Sequence, residues 1–168
     1  MPLFSRSCTL TYTARCGACA LLLASLGAAD TDLSIVPQLT FGTAGFEPGV
    51  ALEWRINGQQ PIVLRPEVFV NEDHRIGGGG SVLLDLTRTI NLPEQHSVAI
   101  GPRVVHHHAD DISWEADALV TWNYDLSDRL AVRRHAVGLL GALGVLHDRR
   151  DDQQELGATA GATYSFRF

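Results

Sequence analysis

From Leu33 to the last residue, apolar side chains recur at every second position, while the charged ones keep to the alternate phase. Side chains alternate between the two faces of a strand, so the pattern asks for a succession of strands. Eight segments carry it: Leu33 to Phe41, Gly49 to Ile56, Ile62 to Val70, Ser81 to Thr89, Ser97 to His107, Ser113 to Tyr124, Arg133 to Val145 and Gly157 to Phe168. The seventh is the least regular, because Leu139-Leu140 and scattered glycines blur its phase.

The charged residues decide which face is the inside. Opposite the apolar faces stand Glu53, Arg55, Arg65, Glu67, Asp85, Arg103, Glu115, Asp117 and Arg167, with Arg134 added if the seventh strand keeps phase. They comprise five acids and five arginines, a near balance that suits pairing. A water-soluble barrel would turn its apolar face inward and these charges to water. A membrane barrel inverts this, with lipid outside and a polar interior. Eight strands enclose a space only wide enough to be filled by side chains, and arginine's planar fork fills it well because it binds carboxylates at two points. Trp54, Trp122, Tyr124, Tyr164, Phe166 and Phe168 would supply an aromatic belt. The expected fold is all-β: an eight-stranded antiparallel up-and-down transmembrane β-barrel with a polar, ion-paired interior.

Residues 1–29 read differently. Arg6 and Arg15 precede an apolar run from Ala18 to Leu26, then Gly27-Ala28-Ala29 and Asp30. This is the plan of a secretory signal peptide cut after Ala29, and the apolar run is about half of the roughly 20 residues a spanning helix needs. Cys8, Cys16 and Cys19 all fall in this segment, so the barrel domain, 30–168, has neither disulfides nor thiolate ligands. The chain has no lysine; all thirteen of its basic residues are arginine, against nineteen acids, for a net charge of −6. A negative, lysine-free protein is a poor nucleic-acid binder, since that affinity rests on neutralising phosphates.

The final twelve residues, G-A-T-A-G-A-T-Y-S-F-R-F, end in Tyr164-Ser165-Phe166-Arg167-Phe168. A terminal Tyr-x-Phe-x-Phe strand resembles the closing strand of the small eight-stranded bacterial outer-membrane β-barrel proteins, and the resemblance covers Asp30 to Phe168. It implies residence in the Gram-negative outer membrane after secretion, contact with its lipids and lipopolysaccharide, and handling by the barrel-assembly machinery through the C-terminal strand. It implies no catalytic residue and no cofactor. With both termini in the periplasm, short turns are expected at Asn57-Gly58-Gln59, Asn91 to Gln95 and Asp125 to Asp128. The outward connections would be Gly42 to Pro48, Asn71 to Gly80, His108 to Ile112 and Asp148 to Gln154, shorter than those of the surface-active members. Inward phases across the 108–112 turn set Arg103 opposite Asp117, and Glu53 should lie opposite Arg65 or one step diagonal to it.

Two side-chain groups could carry chemistry. His74, His106, His108 and His147, with Asp110 and Asp111, gather near the outward rim as imidazole and carboxylate donors suited to zinc, copper or nickel. The plainer reading is a solvated acidic rim. His107, Ser113 and Glu115 suggest acyl transfer, yet their phase points them into the barrel, and the His-x-Ser-Asn stretch of lipid A deacylases is absent. Gly77 to Gly80 has no Lys-Ser/Thr after it, so it is no phosphate loop. Arg75, Arg149 and Arg150 could meet lipopolysaccharide phosphates, but acidic neighbours weaken that role. The favoured function is a non-enzymatic, porin-like envelope barrel with a structural or surface-interaction role and a filled interior. The alternatives are a lipid A-modifying enzyme and a narrow channel or rim metal-binding protein.

Overall fold

A computed structural model describes residues 31–107, 112–127, 135–148 and 152–168, with only the backbone described at Ile112, Ser113 and Asp148. Eight strands follow one another: β1 (Thr31–Gly42), β2 (Gly45–Ile56), β3 (Ile62–Val70), β4 (Ile76–Asp85), β5 (His96–His106), β6 (Ile112–Asp125), β7 (His135–Asp148) and β8 (Gln154–Arg167). They form a closed barrel in sequence order. Each neighbour is antiparallel, and β8 returns to β1 from Ser34↔Arg167 to Gly42↔Thr159. No sheet edge is left open, which removes the hazard of unpaired strand edges.

Alternation sorts the side chains as a barrel requires. Each strand sends apolar residues outward: Leu39 and Phe41 from β1, Leu52 from β2, Val68 from β3, Val82 from β4, Val104 from β5, Val120 from β6, Leu143 from β7 and Leu156 from β8 are all exposed. The inward phase buries Ser34, Gln38 and Thr40, then Arg65 and Glu67, Arg103, and Glu115 with Asp117. The seventh strand's phase is settled by its paired leucines: Leu139 is 57% exposed and Leu140 is 5% exposed. A small apolar layer inside the barrel joins Val63, Leu83, Ala99, Leu119, Leu140 and Ala142.

Two expectations are corrected. β4 begins five residues earlier than the alternation places it and ends at Asp85 rather than Thr89. Gly77 to Gly80 are therefore paired strand residues, not a loop, lying opposite Pro66 to Phe69 on one side. On the other side Gly78 and Gly79 pair with His106 and Val105. A side chain on Gly77 would collide with the Phe69 ring, and one on Gly79 with the Val104 carbonyl and Val105, so the strand approaches its neighbours where only glycine fits. The strand stops where Asp85 turns its carboxylate on the following backbone, accepting a hydrogen bond from the Thr87 N–H at 2.8 Å.

The connections are the second correction. At the end opposite the termini, β1 and β2 are joined by Thr43-Ala44 alone, and β3 and β4 by residues 71–75. At the end carrying Thr31 and Phe168, residues 57–61 and 86–95 make two of the links, so Asn91 to Gln95 belongs to a longer segment, and Asp125 is still part of β6. The 86–95 segment is ordered by its own backbone, with Ile90 N–H donating to Leu86 O and Leu92 N–H to Thr87 O.

Bulk inside the barrel is unevenly shared. Long side chains reach in from β3 and β5, while β7 and β8 offer Gly138, Gly144, Gly157 and Gly161. A Cβ on Gly144 would meet the Ala116 carbonyl and Asp117, whereas one on outward Gly141 has its nearest neighbour at 4.0 Å. Gly144→Val is expected to lower folding stability by about 1–3 kcal/mol or more through overpacking, and Gly141→Val to change little. Equal urea midpoints for the two variants would contradict this account of the inner wall.

Candidate functional site in the barrel lumen

The inward residues of β3 are Val63, Arg65, Glu67 and Phe69, and the i, i+2 spacing of Arg65 and Glu67 brings both to one face. Arg65 is 1% exposed and Glu67 4%. Arg65 Nε donates to Glu53 Oε1 at 3.1 Å, its Nη1 to Glu67 Oε2 at 2.8 Å, and its Nη2 to Gln38 Oε1. Gln38 closes the ring by donating from Nε2 to Glu67 Oε2 at 2.9 Å. The Glu53–Arg65 pairing has the cross-strand geometry expected of it.

Arg103 repeats the device two strands away. It lies directly across from Asp117 in the β5–β6 register. Its Nε donates to both Asp117 oxygens at 3.0 Å, and Nη2 also bonds Asp117. The same Nη2 is 3.3 Å from Glu115 Oε1, while Nη1 reaches Glu67 Oε1 at 3.4 Å. Glu67 thus accepts from both guanidiniums, one through each oxygen, and welds two ion-pair groups into one cluster. Charge-assisted, two-point bonds of this kind are the stronger class of hydrogen bond.

His107, one residue past the end of β5, extends the cluster toward the loop end. Its Nδ1 is 3.1 Å from Glu47 Oε1 and its Nε2 3.3 Å from Glu115 Oε2. The Phe69 ring lies 5.2 Å away, centroid to centroid, tilted by 53°. Burial works against the charged imidazolium, but the hydrogen bonds to Glu115 and Glu47 and the charges of both outweigh it, raising His107 to about 9. Since this lies above the ordinary histidine value near ~6.5, the stabilisation is complete below that value and is lost as pH rises through about 9.

Of the other expected interior charges, Arg55, Asp85 and Arg167 lie toward the terminal end. Arg55 Nη1 pairs with Asp85 Oδ2 in a separate ion pair. Below it a polar cavity of about 160 Å³ opens at the mouth, lined among others by Glu53, Arg55, Glu94, Asn123, Asp125 and Arg167. Arg134 lies outside the described residues. The expected balance of five and five therefore does not hold within one cluster: Arg65, Arg103 and protonated His107 face Glu47, Glu53, Glu67, Glu115 and Asp117. Two further members, Glu47 and Gln38, are not among the charges that the alternation marks. Glu47 shares the phase of Glu53 once β2 is extended back to Gly45, and Gln38 sits on the inward phase of β1.

Comparison with protein families, curated proteins and solved structures finds no match. The chemistry must be judged from the residues.

Both ring nitrogens of His107 are occupied by carboxylates, so it is built to hold them and not to activate a hydroxyl. Its expected partner Ser113 lies in β6, with its side chain outside the described parts. The rim histidines are dispersed. His106 is exposed on the outer face. His74 Nδ1 is 3.0 Å from the Glu72 carbonyl. His147 stacks on Trp114 at 5.4 Å and lies 3.4 Å from Asp152. Among the described residues no group of three or more His, Cys, Asp or Glu side chains could hold a metal, and His108, Asp110 and Asp111 lie outside them, as do Arg149 and Arg150.

Proposed function

We propose that this chain is a non-enzymatic outer-membrane β-barrel whose role is structural, a lipid-embedded wall around an ion-paired plug. One observation carries the reading: the barrel is inverted relative to a soluble one, with apolar residues of all eight strands exposed outside and guanidiniums and carboxylates buried inside. A continuous exposed apolar surface of this extent calls for lipid or protein against it. Strands of 9 to 14 residues are long enough for a tilted crossing. No helix among the described residues is long and apolar enough to cross, so strands would do the spanning.

Aromatic side chains support the same reading at both ends of the wall. At the terminal end His96 packs on Trp122 and Tyr124, and His135 on Tyr164 and Phe166. The Tyr164 hydroxyl and His135 Nδ1 are 2.8 Å apart. At the loop end Phe41 meets Phe46, and Trp114 meets His147. Rings of this kind suit the two interfacial zones of a bilayer. Outer-membrane lipids and lipopolysaccharide are then the surrounding partners, and β8 the element presented to the assembly machinery. Links as short as Thr43-Ala44 and 71–75 at the loop end leave little chain to grip a surface ligand, which favours a wall over an adhesin.

Fractionation of a Gram-negative host expressing the full chain tests this directly. The protein is expected in the outer-membrane fraction, shortened at its N-terminus and migrating faster on gels when unheated than when boiled. Recovery as a soluble periplasmic protein without detergent would refute the reading.

A further inference from the structure

We propose that Glu47, His107 and Glu115 form a protonation-controlled latch, which pins β2 to the β5–β6 hairpin across the lumen and seals its loop end while the imidazole is charged. The proposal stands on the closed barrel alone and holds whatever surrounds the outer wall.

The geometry is specific. Glu47 on β2 and Glu115 on β6 approach from opposite sides of the eight-stranded ring, and the imidazole between them gives one nitrogen to each. Glu47, His107 and Glu115 are 8%, 3% and 2% exposed, so little water is at hand to replace the bonds. A neutral imidazole has one N–H donor and can satisfy only one of the two carboxylates, whereas the charged ring satisfies both. Loss of the proton therefore releases one arm and leaves two buried carboxylates facing each other across the lumen.

The neighbouring elements leave His107 between its two carboxylates, and the 71–75 link brings up Arg75 and Glu72, whose Oε1 accepts from the Phe46 N–H at 3.0 Å. From β5, Arg103 is committed to Glu115, Asp117 and Glu67. From β3, Phe69 covers the ring, with Glu67 one step deeper. From β1, the Thr40 hydroxyl donates to the Glu47 carbonyl at 2.9 Å and holds that strand end in place. β4 presents Gly77, which has no charge. On β7 Leu146 pairs with Glu115, and on β8 Glu155 pairs with Leu146 as the next carboxylate of that rim. The charge of His107 thus answers Glu47 and Glu115 together, and its raised titration near 9 places release on the alkaline side.

With Cys8, Cys16 and Cys19 replaced by serine, Ala51→Cys gives a single-thiol probe of the lumen, because Ala51 is fully buried on the inward phase of β2. Its labelling by a small cationic methanethiosulfonate is measured at one fixed pH near neutrality, with Gly58→Cys in an open turn as reference. Adding His107→Asn, which cannot carry charge, is expected to speed labelling by about tenfold or more, the worth of a charge-assisted hydrogen bond. His107→Lys, which restores a cation, should return much of the protection. In the unmodified protein, ring nitrogen NMR should show His107 doubly protonated at neutral pH and releasing a proton near pH 9. Unchanged labelling in His107→Asn, or a neutral His107 ring at pH 7, overturns the latch. If the Asn variant does not fold, the NMR titration decides by itself.

Discussion

Replacing Arg103 with alanine is expected to destabilise the barrel by about 3–5 kcal/mol, the cost of stranding buried charge. The guanidinium touches three carboxylates at once, those of Asp117, Glu115 and Glu67, and its side chain is 6% exposed. Removing it leaves these groups facing one another with Arg65 as the remaining guanidinium in contact with Glu67. The check is a urea or guanidinium midpoint for protein folded in detergent. A second variant isolates the cause: Arg103→Met combined with Asp117→Asn and Glu115→Gln should recover much of the loss, because the charges that needed an answer are gone. If Arg103→Ala unfolds at the wild-type midpoint, the cluster is not what holds the inward faces of β3, β5 and β6 together.

The second large effect concerns the outer wall. Leu143 projects outward from β7, opposite Ala118 in the register, and is 58% exposed. In a bilayer, Leu143→Arg at mid-wall should lower folding stability by about 2–4 kcal/mol. In water, an exposed leucine exchanged for arginine usually shifts stability by no more than about 0.5 kcal/mol. Folding into lipid vesicles with wild-type yield and midpoint would mean that the wall does not face hydrocarbon, and the proposed location would fall with it. The test discriminates because the same side chain is harmless in one surrounding and expensive in the other.

Much of this molecule was legible because a strand's side-chain period is two and a barrel makes every strand obey it. Once the phase of Arg103 and the length of the next turn were read together, its pairing with Asp117 followed, and the residues do pair. Glu53 and Arg65 became legible in the same way. What the alternation cannot carry is height. It says that Glu47 faces inward once β2 is long enough, but not that Glu47 meets His107, sixty residues away. That meeting depends on the stagger between strands on opposite sides of the ring, which local pattern does not encode. β4 failed for a different reason. Glycine has no side chain to mark a phase, so four in succession read as a loop, although close packing against Phe69 and Val105 is what excludes anything larger. The same alternation separates the adjacent histidines, since His106 turns outward while His107 next to it turns into the lumen, as their phases require.

The bareness of the last hairpin has a consequence for how the barrel can close. The members of the central ionic cluster come from β1, β2, β3, β5 and β6, with His107 just beyond β5, and between Ala136 and Leu146 on β7 and Gly157 and Thr163 on β8 the chain carries no ionisable side chain at all. The network can thus be fully partnered while the final two strands are still arriving. Their docking brings no further charge into the central network, so the last seam can slide shut over ions already matched, like a sleeve over a wired joint.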